Sequence, residues 1–244
     1  MITADPLVLL TALAFLVPWA KVFSRLRCWF YQARLAVAVR RMERKHRCTV
    51  LVYAGHIHRG ATVVLARRVR AAPIDRPLVL VLDTLGGEIP AAQHLLRALS
   101  SHPGNVIVRI PDECWSAGSV IACGADLILL GQDGNLGHTD VICPTDREQV
   151  RAGPTITAAE RGHSIELVRS EHSMRDVAAA IITARVQRGM TVGEATALAH
   201  NLTMADADHM QPLFFEEAAA LGLPVAVDPD LAWFHLVRLA LRTR

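Results

Sequence analysis

The chain opens on an uncharged apolar stretch from Pro6 to Ala20, which continues past Lys21 through Val22 and Phe23. Counted from Pro6 to Phe23 it holds about 18 residues, enough to cross a bilayer core as a helix if the Lys21 ammonium snorkels to the interface. A signal peptide fits less well, because no cationic segment precedes the run and no small-residue cleavage site closes it. A short buried helix is the third reading. Lys21, Arg25, Arg27, Arg34, Arg40, Arg41, Arg44, Lys45 and Arg47 follow, against Asp5 and the amino terminus on the other side. That asymmetry predicts a single-pass anchor in the cell membrane, with the C-terminal bulk on the cytoplasmic side. Leu26, Trp29, Phe30, Leu35, Val39 and Met42 interleave with these cations. Such a basic helix either lies along the membrane surface or leaves it solvated.

Beyond Arg47 the pattern alternates. Cys48–Ala54, Leu78–Leu82, Asn105–Ile110 and Leu127–Leu130 are short apolar runs with the length of strands. LVLVL at 78–82 is too apolar for a surface edge and reads as a buried parallel strand. Gly60–Ala71 and Ile89–Leu99 have helical spacing, and a small-residue helix starts near Ser116. Two or more helices are predicted from about Glu166 to Leu202, then an αβ unit around Leu213–Val227. Strand–helix alternation of this kind predicts an α/β fold with a mostly parallel sheet and helical crossovers. The expected organisation is a membrane anchor over 1–24, a basic juxtamembrane helix over 25–47 and one domain over 48–244.

Composition narrows the chemistry. The 244 residues are 52% hydrophobic, too apolar for a disordered chain. Among 26 basic residues lysine occurs only at Lys21 and Lys45. The domain beyond Arg47 therefore has no lysine for a Schiff base, a P-loop or a Ser–Lys dyad, and arginine does not deprotonate near neutral pH. A net charge of +3 with 5% aromatic residues gives no basic stacking surface, so no nucleic-acid partner is expected. Cys28, Cys48, Cys114, Cys123 and Cys143 form no C-x-x-C pair and read as free thiols of a reducing compartment. His56 and His58 lack a nearby third ligand, so neither a metal nor another cofactor is expected.

Three segments carry candidate chemistry. Thr84-Leu85-Gly86-Gly87 follows the LVLVL strand, and a Gly-Gly pair there can turn N–H groups outward into a site. Taken alone it also fits a plain tight turn. Trp115-Ser116-Ala117-Gly118-Ser119 opens a helix after the next strand. Ser116 there is either an exposed nucleophile beside the Ala117 N–H or an ordinary helix cap. Leu136-Gly137-His138-Thr139-Asp140 delivers a histidine after the LILL strand, 22 residues beyond Ser116.

In this order the segments resemble the Clp-protease/crotonase fold, and within it the serine dehydrogenase proteinases, membrane-anchored relatives of signal peptide peptidase A. The family's TPGG-like turn is matched by Thr84–Gly87, its MSAGT-like turn by Trp115–Ser119 and its LGPVD segment by Leu136–Asp140. Its closing EEAKELGLPV is matched by Glu216–Val225. The resemblance implies a membrane-bound serine peptidase acting on a peptide or protein substrate, and a homo-oligomer. It implies Ser116 as the acylated nucleophile, with an oxyanion hole from the Gly87 and Ala117 N–H groups and Gly86 permitting the turn. The lysine deficit turns the base toward histidine, as in the Ser-His-Asp triad of the Clp proteolytic subunit. His138 occupies the place where the family's LGPVD carries proline; His209, beside a THDYP-like histidine of the family, is the alternative. Asp206 matches the register of the triad carboxylate, and Asp140 and Asp208 are its alternatives. Two other functions remain open: an inactive scaffold of the same fold, and a crotonase-type acyl-CoA enzyme, which needs no nucleophilic serine.

Overall fold

The computed structural model describes residues 6–139, 141–144, 149–152, 165–203 and 211–243, with side chains described over 22–139, 173–203 and 211–243. Asp140, Asp206, Asp208 and His209 lie outside the described residues. The elements are α1 (Pro6–His46), β1 (Thr49–Ala54), α2 (Arg59–Arg70), β2 (Leu78–Asp83), α3 (Ile89–Ser100), β3 (Val106–Ile110), β4 (Glu113–Cys114) and α4 (Ala117–Ala122). They continue with β5 (Leu127–Leu130), β6 (Asn135–Gly137), β7 (Val141–Pro144), β8 (Gln149–Ala152), α5 (Ile165–Gln187), α6 (Val192–Leu202), β9 (Pro212–Leu213), α7 (Phe215–Ala220), β10 (Val225–Val227) and α8 (Ala232–Leu241).

The main sheet has the order β1-β2-β3-β5-β10, and every neighbouring pair is parallel. Leu78, Leu80 and Leu82 of β2 face a large core with Leu95, Leu96 and Leu99 of α3. Val79 and Val81 face a second core with Met42 of α1 and Trp233 of α8. Helices cover both faces, which is why LVLVL carries no polar alternation. Loops leaving the carboxyl ends of β2, β3 and β5 therefore emerge side by side, where open parallel sheets bind ligands. These three loops hold Gly86–Gly87, Ser116 and His138. Short strands extend them: β4 pairs β6 in parallel and β6 pairs β9 antiparallel. Nothing in the hydrophobic pattern announces this small sheet, because its strands have only two or three residues.

Helix α1 runs without a break through the expected boundary at residues 24 and 25. Its Leu35, Ala38, Val39 and Met42 pack on the second core, so part of the basic segment belongs to the domain. Trp233 lies under the Arg109 guanidinium, 4.2 Å from its ring centroid, while Arg109 pairs with Asp228. Lys45 bridges to Asp230 at 2.9 Å and fastens the end of α1 to the start of α8. Among the described residues no helix is long and apolar enough to cross a membrane. The side chains of 6–21, which make up most of the anticipated span, are not among them.

Two histidines in this frame resist protonation. Burial lowers the pKa of His46 below its ordinary 6.5, and the Lys45 and Arg109 cations push it the same way against Asp230 and Asp228. His102 is lowered by burial and then by Arg188. In both cases the folded state binds protons less readily than the unfolded chain, so stability falls as pH drops below 6.5. Tm is expected to decline from pH 7.5 to pH 5.5, and to decline less in the His46→Gln/His102→Gln variant. An equal slope in both proteins would refute this assignment.

Candidate active site

Ser116 joins β4 to α4 at φ 50° and ψ −115°. A residue with a Cβ is strained there, and such strain persists only where the surroundings enforce it. The hydroxyl makes no capping bond to the helix that it precedes, which removes the helix-cap reading. Its environment is tight below and open above. Ser116 and Trp115 are half-buried, whereas Cys114, Ala117 and Val120 have no exposure. A Cβ on Gly118 would lie 2.6 Å from Thr84 Cγ2 and 2.8 Å from Cys114 Sγ, so only glycine lets α4 descend onto this floor. Burial pushes the Cys114 thiol well above its ordinary pKa and Cys123 up to about 12. Neither thiol is therefore a candidate nucleophile.

The Gly-Gly turn meets Ser116 directly. A Cβ on Gly86 would sit 3.1 Å from Ser116 Cβ and 3.5 Å from its Oγ. The buried Thr84 hydroxyl accepts from the Gly86 N–H at 3.0 Å and sets the turn. Thr84 also bridges in parallel to Cys114: its N–H donates to Glu113 O at 2.8 Å and its carbonyl accepts from the Trp115 N–H at 2.9 Å. One residue on, Gly87 bridges to Ile57. Ile57 N–H donates to Gly86 O and Glu88 N–H donates to Ile57 O, both at 2.9 Å. In a parallel bridge the residue between these two bonds turns its own N–H the other way. Gly87 N–H therefore points away from Ile57. Among the described residues neither it nor the Ala117 N–H, in the first turn of α4, donates to a backbone carbonyl.

The histidine segment is tied to the Ser116 turn on both sides of His138. Before it, Gly137 N–H donates to Ser119 Oγ at 3.2 Å, and that hydroxyl reaches Gly137 O at 2.7 Å and Cys114 O at 2.9 Å. After it, Thr139 Oγ1 donates to the Ser116 carbonyl at 3.0 Å. Trp115 Nε1 adds a bond to Asn135 Oδ1 at 2.7 Å. His138 is half-buried, with Nδ1 shielded from solvent. Thr139 N–H donates to Leu202 O at 2.8 Å, which brings the end of α6 to the same place. Leu202 precedes Asp206 by four residues, but the aspartate candidates and His209 lie outside the described residues. Thr84, Ser119 and Thr139, which lie within the quoted motifs, and Asn135 are site residues to which motif reading gives no role. Their signal is weak, because buried hydroxyls and amides are common and only the fold reveals their partners. His56 and His58 are exposed on either side of Ile57, and no group of three metal-ligating side chains occurs among the described residues.

A family model described as ClpP-like SDH-type serine proteinase matches residues 2–241. An uncharacterized protein of Methanocaldococcus jannaschii is 30% identical over 183 residues, covering 72% of this chain and 62% of its own length. A second uncharacterized protein of that organism is 29% identical over 134 residues, covering 49% and 42%. The chain thus spans less than two thirds of either relative. Among solved structures, a variant of the membrane-bound stomatin-specific protease 1510-N superposes with a TM-score of 0.55 at 20% identity, over 78% of this chain and 82% of that one. Another variant of that protease, in complex with a substrate peptide, gives 0.54 at 21% identity over 76% of each chain. ClpP1 from Listeria monocytogenes, in a mutant form, gives 0.50 at 13% identity over 78% and 98%. At these identities the superpositions establish the fold.

Proposed function

The chain belongs to the ClpP-like SDH-type serine proteinases, and on that premise we propose that it hydrolyses peptide bonds with Ser116 as the acylated nucleophile. Ser116 Oγ attacks the scissile carbonyl carbon while His138 accepts its proton. The oxyanion accepts hydrogen bonds from the Gly87 and Ala117 N–H groups. His138 then protonates the leaving amine, and water hydrolyses the acyl-enzyme with His138 again taking the proton. Each oxyanion donor is worth about 3 kcal/mol of barrier. Asp206 is the proposed carboxylate that fixes the imidazole tautomer, with Asp140 and Asp208 as alternatives and His209 as the alternative base.

One observation carries this reading: Ser116 is held in a left-handed conformation that only its surroundings enforce, with a hydroxyl withheld from capping and a glycine turn against it. Strain of this kind at a strand-to-helix turn is how a nucleophilic serine is presented. The apolar run from Pro6 to Phe23 and the cations after it support a single-pass anchor with the domain on the cytoplasmic side. The enzyme is proposed to act on peptide or protein substrates as a homo-oligomer, without a cofactor.

A fluorophosphonate probe tests the reading. The native full chain should be labelled in proportion to time and probe. Absence of labelling in the folded protein would reject the peptidase in favour of an inactive scaffold. Comparison of variants then assigns the base. His138→Ala should slow labelling by about 10³-fold and His209→Ala by less than tenfold, a general-base contribution being of order 10²–10⁴. The reverse order would move the role to His209.

A further inference from the structure

From the same geometry we infer that Thr139 and Ser119 are positioning residues, whose hydroxyls hold the strained nucleophile turn in register with the histidine segment. The inference rests on Ser116 being the nucleophile. It concerns two side chains that touch neither substrate nor the reacting atoms.

The requirement follows from the topology. Ser116 and His138 sit on loops that leave two neighbouring strands, β3 and β5. The main sheet fixes those strands only as far as Ile110 and Leu130. Beyond these ends each loop has its own slack, and a base must stay within hydrogen-bond reach of the proton it abstracts. Two further facts make register a problem. Ser116 at φ 50° relaxes to ordinary backbone if released. The pairing of β4 with β6 covers only two residues on each side, Glu113 with Asn135 and Cys114 with Leu136, and it ends before Ser116.

The two hydroxyls bridge the unpaired remainder. Ser119, in the first turn of α4, accepts from the Gly137 N–H and shares its one hydroxyl proton between Gly137 O across the gap and Cys114 O below. It is nearly fully buried, so these contacts replace hydration that water cannot supply. Gly137 fits there because a Cβ would lie 3.1 Å from Trp115 Cβ. Thr139, also buried, engages the carbonyl of Ser116 itself while its N–H is held by Leu202. His138 lies between the two braced residues. The brace therefore fixes the backbone on both sides of the base and fixes the nucleophile's own carbonyl. Through Leu202 it also ties the end of α6 to the histidine segment.

The test separates positioning from bulk stability. Fluorophosphonate labelling and hydrolysis of a peptide probe are measured on the detergent-solubilised full chain, below the Tm of every variant. Ser119→Ala and Thr139→Val should each lower kcat and the labelling rate by roughly 100-fold, the cost of misplacing a reacting group by about 1 Å. KM should change less than threefold. Ser119→Thr and Thr139→Ser keep the hydroxyls and should recover most of the rate. Unchanged labelling in folded Ser119→Ala and Thr139→Val would overturn the inference, as would equal loss in the hydroxyl-retaining pair. If the native chain does not label, the peptidase reading fails instead. The brace is then decided by a crystal structure of Thr139→Val, in which Ser116 should leave positive φ; a Ser116 unmoved there refutes it.

Discussion

Ser116→Ala is expected to abolish fluorophosphonate labelling and to lower peptide hydrolysis by about 10⁶-fold, as removal of a nucleophile does in serine proteases generally. The loss should come in kcat, because the proposed oxyanion donors and the substrate contacts remain. Residual turnover roughly 10³–10⁴ above water is expected from those donors alone. Stability should barely move. The Ser116 hydroxyl caps nothing, and alanine meets the same strain at φ 50°. Ser116→Gly sharpens the test, since glycine adopts that conformation without the cost of about 1–2 kcal/mol paid by other residues. The glycine variant should therefore be inactive yet melt higher than the alanine variant. Hydrolysis at the native rate in Ser116→Ala would place the chemistry elsewhere. Equal Tm values for the two variants would mean that the serine is unstrained.

The strands and crossovers were legible because burial on both faces leaves a long mark. The LVLVL run reads as buried strand β2, and LILL as β5, with bounds that match the structure at 78 and at both ends of 127–130. The glycine turn and the serine turn were legible as motifs because both need residues without side-chain bulk. Gly86, Gly87 and Gly118 each stand where a Cβ would meet a neighbour at 3.1 Å or less. What sequence could not carry is the convergence. Ser119 and Gly137 are 18 residues apart, and Thr139 and Ser116 are 23 apart. Neither periodicity nor spacing encodes a bond between two loops. The small sheet of β4, β6 and β9 that brings them together is too short to mark the hydrophobic pattern. The unbroken course of α1 was equally hidden, because its Met42 face turns toward Trp233, a partner nearly two hundred positions away.

The lysine deficit acquires a second meaning in the fold. Arg188 reaches Asp126 at 2.9 Å and also the carbonyls of Leu99 and His102 at the end of α3. Arg185, buried, donates to Ala125 O at 2.6 Å and Cys123 O at 3.4 Å beyond α4. The Arg188 guanidinium spans several acceptors through both terminal nitrogens, and Arg185 Nη1 reaches two, all near helix carboxyl ends, where cations are favoured. An ammonium is a point donor on a flexible stem and cannot fork in this way. The same choice that leaves the site without a lysine base therefore gives the helices beneath it planar, multiply bonded clamps.

Gly87→Ala should lower both stability and activity, and this separates it from Ser116→Ala. Glycine at φ 150° is required twice over. A Cβ there would lie 2.2 Å from Ile57 O and 2.7 Å from Ile57 N, and both are backbone atoms that no rotamer change can clear. The bridge must open, loosening the two 2.9 Å bonds that flank it. Strain of roughly 1–3 kcal/mol and two hydrogen bonds at about 1 kcal/mol each give a cost of about 3–5 kcal/mol. Total stability is of order 5–15 kcal/mol, so the variant folds but with a visibly lower Tm. Opening the bridge also displaces the Gly87 N–H, the proposed oxyanion donor, and kcat should fall by about 10²–10³-fold in the fraction that remains folded. Gly86→Ala is the control. Its Cβ would touch Ser116 Cβ at 3.1 Å and Trp115 O at 3.3 Å but not Ile57, so it should crowd the nucleophile while leaving the Ile57 bridge closed. The expected order of Tm is native, then Gly86→Ala, then Gly87→Ala, with labelling impaired in both variants. Native kcat in a destabilised Gly87→Ala would show that the turn is needed for folding only, and that the second oxyanion donor is some group other than the Gly87 N–H.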